Sequence, residues 1–345
     1  NKITTGVRNT LIGGLAGDAL SDADLNVAIG YQALSTDTLG SRSVAIGNQA
    51  LLTQNFTTAT DAYNTAIGTD AGLSVTTGLR NTLVGALTGD ALTTGDNNVA
   101  LGFNALSADT QGDRNIAIGT DALAAQNFTT STDSYNVAVG FQAGVAVTTG
   151  TNNTLIGALA GDAITTGASN TAVGDNALGA NTTASANVAI GRNAALLNTT
   201  GSSLVAVGYG ALQSNTEGAN NTALGRNALL ANTTADNNVA VGYNAGTAVT
   251  TGTGHTLVGA NAGDALTTGN DNVAIGKDAL SADTLGSGSV AIGLVALQDQ
   301  NFTTATNAYN TAIGRSAGRD ITTGIQNTLI GGLAGDALTD ADNNV

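Results

Sequence analysis

Asn-Val-Ala-Ile-Gly-Tyr-Gln-Ala, at residues 26–33, is one copy of a motif that recurs from one end of the chain to the other. Its glycine returns at a constant seventeen-residue interval, except at three steps where the interval is twenty-one. A fixed period of this length predicts stacked structural units, here called rungs, and argues against a globular enzyme. With the glycine as position 5 of each rung, its nineteen copies are Gly13, Gly30, Gly47, Gly68, Gly85, Gly102, Gly119, Gly140, Gly157, Gly174, Gly191, Gly208, Gly225, Gly242, Gly259, Gly276, Gly293, Gly314 and Gly331.

The composition favours a thin, regular core. The chain has 345 residues, of which 47 are Gly and only 3% are aromatic, and it has no Pro, Cys, Met or Trp. Positions 2–4 form a short apolar run that ends at the marker glycine, which is a strand signal followed by a turn signal. Dense Gly, Thr and Asn leave no helical period. We therefore predict an all-β parallel β-solenoid, or β-roll, of about 19 rungs. Parallel stacking at about 4.8 Å per rung would give a rod of roughly 90 Å.

The repeat runs over residues 1–345 as a single continuous array. Residues 1–27 match residues 319–345 at 21 positions, so the two ends are in phase. Neither end has the atypical sequence of a capping unit. We expect the chain to be a segment of a longer array.

Two polar columns recur at fixed positions. Stacked amides and hydroxyls bond their copies in the rungs above and below, so we predict that both columns form structural ladders. The Asn column at position 1 includes Asn26, Asn98, Asn187, Asn238 and Asn272, and the Thr column at position 13 includes Thr38, Thr110 and Thr216. His255 occupies one Asn position and is interpreted as a tolerated substitution.

One apolar side chain per rung alternates between two positions. Rungs with Leu at position 9 have a polar residue at position 12, as in Leu212 with Asn215. Rungs with Gly at position 9 have an apolar residue at position 12, as in Gly161 with Ile164. We predict that both arrangements fill the same core space.

The strand at positions 2–4 is apolar on both faces, and such strands are usually covered on both sides. A small Ala at position 3 would let a second chain approach closely. This pattern favours lateral association of several parallel chains. In the alternative, outward Ala residues are simply tolerated.

The three longer rungs carry inserts at residues 54–63, 126–135 and 300–309. Insertions in a solenoid bulge from one face and often carry binding. Their aromatic residues are therefore candidate surface contacts for a glycan or a protein. In the alternative, each Phe folds back and plugs its own bulge. The six candidates are Phe56, Tyr63, Phe128, Tyr135, Phe302 and Tyr309.

Charge and residue content argue against several function classes. The net charge is −15 and the ten basic residues are scattered, so neither nucleic acid nor an anionic membrane is an expected partner. No apolar run approaches the roughly 20 residues of a membrane helix. One His cannot supply a nucleophile–base–acid set, so we predict no enzyme activity and no catalytic residues. Recurrent acidic corners such as Asp90 offer too few oxygens for calcium, so no metal and no cofactor are expected.

The core Asn-Val-Ala-Ile-Gly-x-x-Ala, as at residues 187–194 and 272–279, resembles the head repeats of YadA-like trimeric autotransporter adhesins. Similar repeats occur in bacteriophage tail fibres. The resemblance implies a left-handed parallel β-roll, assembled as a homotrimer and located outside a bacterial cell or on a virion. The family's usual repeat is shorter than the repeat of this chain.

The expected function is thus an extracellular attachment fibre. Its expected partners are copies of itself and a host-surface glycan or protein. A purely structural filament or spacer is the alternative. An ice-binding solenoid is a minor one, because the Thr column lacks regular Thr-x-Thr ranks.

Overall fold

The computed structural model describes residues 4–345, which form a parallel β-solenoid of about nineteen turns, as predicted. None of these residues is helical. The chain divides into two compact units, Asn1–Asn170 and Thr171–Val345. The continuity of one array over residues 1–345 stays a prediction.

In the first unit, positions 2–4 of every rung form a three-residue strand. Each strand pairs in parallel with that of the next rung and in register, so that Ala28 lies beside Ala45. The strands are β1 Thr10–Ile12, β2 Val27–Ile29, β4 Val44–Ile46, β6 Thr65–Ile67, β7 Thr82–Val84, β8 Val99–Leu101, β10 Ile116–Ile118, β12 Val137–Val139 and β13 Thr154–Ile156. Two short parallel pairs lie at the inserts: β3 Gly40–Ser41 with β5 Thr60–Asp61, and β9 Gly112–Asp113 with β11 Thr132–Asp133.

The second unit repeats this arrangement. Its strands also pair in register from rung to rung, so that Ala189 lies beside Ala206. They are β14 Thr171–Val173, β15 Val188–Ile190, β16 Val205–Val207, β17 Thr222–Leu224, β18 Val239–Val241, β19 Thr256–Val258, β20 Val273–Ile275, β22 Val290–Ile292, β24 Thr311–Ile313 and β25 Thr328–Ile330. At the insert of this unit, β21 Gly286–Ser287 pairs with β23 Thr306–Asn307.

The direction of the strand side chains corrects one expectation. Ala at position 3, expected on the outside, points inward; Ala189 and Ala206 are 0% exposed. Positions 2 and 4 point outward instead, and Ile190, Val205 and Leu224 are 40%, 37% and 45% exposed. Position 3 is Ala in most rungs and Leu in the Asn-Thr-Leu rungs, where Leu155 is also 0% exposed. The outer face of the sheet is therefore two adjacent columns of Val, Thr, Ile and Leu.

The alternating core residue is confirmed. Leu212 at position 9 and Ile164 at position 12 are both fully buried. A Cβ placed on Gly161 would lie 2.7 Å from Cδ1 of Ile164 and 2.8 Å from Cδ2 of Leu155. The apolar side chain at position 12 and Leu at position 3 thus occupy the space that Leu at position 9 fills in the other rungs. Each buried side chain contributes about 1.5–3 kcal/mol.

Three corners of the rung have left-handed backbone. They are positions 7, 9 and 17, represented by Asn193 with a φ of 59°, Leu212 with 53° and Asn220 with 58°. The marker glycine at position 5 has a larger positive φ, 132° in Gly191, that only glycine adopts readily. These dihedral angles bend each rung so that the chain returns onto its own next copy.

Val295 occupies the position 7 corner with a φ of 51°, which is unfavourable for a β-branched residue. Asn tolerates this conformation and occupies position 7 in several other rungs. We expect Val295→Asn to raise the free energy of unfolding by about 1 kcal/mol. Urea denaturation followed by circular dichroism would measure the change. Leu294→Asn, at the neighbouring exposed residue, is the control; a gain of the same size there would show that polarity and not the backbone is responsible.

Candidate functional site

The Asn column is buried and bonds mainly to the backbone. Oδ1 of Asn238 accepts the backbone N–H of His255 at 2.9 Å, and its Nδ2 donates to the carbonyl of Gly252 at 2.9 Å. Asn26, Asn98, Asn187 and Asn272 make the same two bonds. The expected amide-to-amide bonds occur in only part of the column, as where Nδ2 of Asn115 donates to Oδ1 of Asn98 at 3.1 Å. A buried backbone N–H and a buried carbonyl in each rung need partners, and one Asn supplies both.

The Thr column also bonds to backbone. The hydroxyl of Thr216 donates to the carbonyl of Thr233 at 3.1 Å. Thr38 and Thr110 precede inserts, and their hydroxyls donate to the carbonyls of Phe56 and Phe128 at 2.9 and 2.7 Å. The expected hydroxyl-to-hydroxyl ladder is corrected as well. These occupied hydroxyls argue against an ice-binding surface at position 13.

A continuous amide ladder lies instead at position 12 of the second unit. Nδ2 of Asn215 donates to Oδ1 of Asn198 at 2.8 Å, and Nδ2 of Asn232 donates to Oδ1 of Asn215 at 2.7 Å. All three side chains are fully buried. The polar residue at position 12 is visible in the sequence. Its inward direction is not visible in the sequence, because it depends on how the position 9 corner turns the chain.

Each insert is anchored by a buried carboxylate that precedes it. Oδ1 of Asp37 accepts the backbone N–H groups of Gly40 and Phe56, at 3.0 and 3.1 Å, and Oδ2 accepts Nε2 of Gln54 at 2.7 Å. Oε1 of Gln54 in turn accepts Nδ2 of Asn64 at 2.9 Å. The other two inserts have the same chain of bonds: Asp109, Gln126 and Asn136, and Asp283, Gln300 and Asn310. Burial raises the pKa of Asp37, while the bonds from Gln54 and the backbone oppose that rise.

The phenylalanines of the inserts are not surface contacts. Phe56, Phe128 and Phe302 are 5%, 7% and 5% exposed. The ring of Phe56 lies against Gly40, where an added Cβ would come within 2.7 Å of it. The expectation of surface contacts at these three residues is corrected, because each ring closes the bulge that its own insert makes.

The tyrosines of the inserts are exposed. Tyr63, Tyr135 and Tyr309 have exposed fractions of 51%, 48% and 55%. The guanidinium of Arg42 lies 5.6 Å from the ring of Tyr63 and that of Arg114 lies 5.5 Å from the ring of Tyr135.

The first two inserts also carry an ion pair beside the tyrosine, between Arg42 and Asp61 and between Arg114 and Asp133. In the third insert Gly288 replaces the arginine and Asn307 replaces the acid. The insert surface thus exists in a charged form and a neutral form.

His255 is buried within the Asn column. Its Nδ1 accepts the backbone N–H of Asn272 at 3.3 Å, so the proton of the neutral ring lies on Nε2. Nε2 faces the carbonyl of Gly269 without making a hydrogen bond of good geometry to it. Burial lowers the pKa of His255 from 6.5 to about 4. A ring with only one good hydrogen bond replaces Asn poorly at this position. With its pKa near 4, it is an unsuitable catalytic base at neutral pH.

His255→Asn should make the chain more stable and less sensitive to acid. The unfolded histidine takes up a proton near pH 6.5 and the folded one only near pH 4, so its contribution is complete above pH 6.5 and is lost as pH falls through about 4. The difference between the two pKa values corresponds to about 3 kcal/mol of folding free energy. Urea unfolding of both proteins between pH 7.5 and pH 4 would measure it. The buried aspartates titrate in both proteins, so parallel pH curves for the two would refute this assignment.

The described residues contain no cluster of three His, Cys, Asp or Glu side chains that could hold a metal ion. Residues 4–345 also include no helix able to cross a bilayer. Comparison with protein-family models, with curated proteins and with solved structures finds no match to the chain. The resemblance to adhesin and tail-fibre repeats therefore stays a prediction that the repeated motif carries.

Proposed function

We propose that this chain is the repeat segment of an extracellular attachment fibre, of the bacterial adhesin or phage tail-fibre type, in which several copies associate side by side. The observation that supports lateral association is the outer face of the sheet. Positions 2 and 4 point outward in both units, and in all nineteen rungs neither position is ever charged. Position 4 is Ile, Val or Leu in every rung, and position 2 is Val, Ile or Thr. An exposed, mainly apolar surface of this kind marks interaction sites in soluble proteins.

The charged residues lie elsewhere on the rung. Acidic side chains occupy corners and loops, as Asp264 does at position 10 and Asp236 at position 16. This division leaves the sheet face free to pack against another copy while the remaining faces stay solvated and repel further association. A homotrimer is the assembly that the repeat resemblance suggests.

The assembly is tested by placing charge on the sheet face. Val205 and Val239 are both 37% exposed at position 2, so Val205→Lys with Val239→Lys should leave the fold intact and dissociate the oligomer. Sedimentation velocity gives the mass in solution and circular dichroism gives the strand content. Thr200→Lys with Thr234→Lys adds the same charge at exposed position 14 and should stay trimeric. A monomeric wild-type chain, or dissociation of both variants, would contradict the proposal.

Attachment is supported by the exposed tyrosines of the inserts. An exposed aromatic ring beside polar and charged groups suits recognition of a glycan or a protein surface. Purified chain applied to bacterial cells and to a glycan array tests this role. Tyr63→Ala, Tyr135→Ala and Tyr309→Ala together should weaken any binding that the inserts provide. If the wild-type chain binds no surface, the spacer alternative is correct.

A further inference from the structure

Position 6 of the second unit carries a column of charged and aromatic side chains. Five successive rungs place Asp175, Arg192, Tyr209, Arg226 and Tyr243 there. Because rungs stack at about 4.8 Å, consecutive members are neighbours and the two tyrosines lie roughly 10 Å apart. Tyr209 and Tyr243 are 46% and 49% exposed. The column lies beside the apolar sheet face and outside the inserts.

Arg226 is held between two aromatic rings. Its guanidinium lies 5.7 Å from the ring of Tyr209 and 6.0 Å from that of Tyr243. Such cation–π contacts fix a guanidinium without using its N–H donors. The side chain is exposed, and within the described residues no carboxylate lies at ion-pair distance from it.

The neighbouring arginine in the column is different. The Nε of Arg192 lies 3.3 Å from Oδ2 of Asp175, so its charge is already paired. In a chain with 25 acidic and 10 basic residues, an arginine that is positioned by two rings and left without an acid needs an explanation other than solubility. A fixed guanidinium with free donors is suited to bidentate binding of a carboxylate.

Amides lie next to this arginine. Asn227 and Asn244 occupy position 7 of the same rungs, and Nδ2 of Asn227 donates to Oδ1 of Asn244 at 3.2 Å. Both side chains are half-buried, which holds their remaining donors and acceptors in place for hydroxyl groups. The column thus combines aromatic rings, amides and one cation. Together these groups can recognise a sugar chain that bears acidic units.

We propose that the column of Tyr209, Arg226 and Tyr243 binds an acidic polysaccharide, with a uronic-acid carboxylate on Arg226 and the adjoining sugars along the tyrosines and asparagines. This inference rests on the attachment function proposed above and names its ligand class. A nucleic acid is disfavoured because it carries a phosphate at every nucleotide. A column with a single unpaired cation, on a chain of net charge −15, cannot neutralise such a density.

The test uses the full chain and oligogalacturonate, with its methyl ester as the neutral comparison, in isothermal titration calorimetry. We expect wild-type chain to bind the acid form and not the ester. Arg226→Gln should weaken binding at least tenfold, and Arg226→Lys should restore only part of it. Arg192→Gln makes the same change in net charge beside an existing acid and should bind as wild type does. Unchanged thermal unfolding of the variants shows that the fold is intact.

The contrary outcomes separate this inference from the proposed function. Equal weakening by Arg226→Gln and Arg192→Gln would reduce the effect to net charge and overturn the inference. Wild-type chain that binds cells or neutral glycans but not oligogalacturonate would also overturn it and leave attachment standing. Wild-type chain that binds no cell and no glycan would overturn both.

Discussion

Gly191→Ala is expected to destabilise the solenoid by about 3–5 kcal/mol. Two effects combine at this residue. Its φ of 132° is one that side-chain-bearing residues rarely adopt. An added Cβ would also lie 2.6 Å from the carbonyl oxygen of Gly208, the marker glycine of the next rung. Backbone cannot move away without breaking the parallel ladder, so the cost falls on rung stacking itself.

Gly331→Ala is the matched control for that substitution. Gly331 has almost the same φ, 133°, but its nearest neighbour to an added Cβ is Cβ of Ala334 at 4.0 Å. It should therefore show the backbone cost alone, about 1–3 kcal/mol. Urea denaturation with hydrogen exchange across the second unit would resolve both effects. Equal losses for the two variants would mean that close stacking of the marker glycines is not what requires glycine.

Phe302→Ala should cost about 3–5 kcal/mol, because it removes a buried ring and leaves a cavity. The ring is 5% exposed, and the backbone N–H of Phe302 donates to Oδ1 of Asp283, which anchors the insert. Tyr309→Ala in the same insert removes a ring that is 55% exposed and should change stability by less than about 1 kcal/mol.

The same assay applies to the other two inserts. Phe56→Ala, Phe128→Ala and Phe302→Ala are combined in one chain. Thermal unfolding of this variant should show lost stability, and its binding to cells should be unchanged. Unchanged stability with lost binding would instead make these phenylalanines contacts for a ligand.

The fold could be predicted because a constant seventeen-residue period leaves few alternatives. The marker glycine, the short apolar strand and the exchange of core residues between positions 9 and 12 all follow from aligning the rungs. Ile164 and Leu212 are buried where that exchange predicts. Which strand side chains face inward could not be predicted. Val, Ala and Ile are all apolar, so the strand has no polar face that would mark the outside.

Hydrogen-bond partners were the other information missing from the pattern. A column of Asn can bond to its copies or to backbone, and both arrangements satisfy a buried amide. The structure uses backbone for Asn238 and copies for Asn215. The Phe and Tyr of each insert look equivalent in the sequence. Only the Phe is bonded through its backbone N–H to the buried aspartate and is itself buried. Arg226 was hidden because its two tyrosines lie a full rung away along the chain on either side.

Every functional inference above rests on stacking in register, and distances between spin labels test it most directly. The chain has no native cysteine, so Arg192→Cys and Arg315→Cys would be the only labelling sites. Both are position 6 residues of the second unit, seven rungs apart, with the third insert between them. We predict one narrow distance near seven times the rung spacing, roughly 34 Å, in labelled chain diluted with unlabelled chain. A broad distribution, or a distance lengthened by the insert, would show that the rungs do not stack in register across the insert.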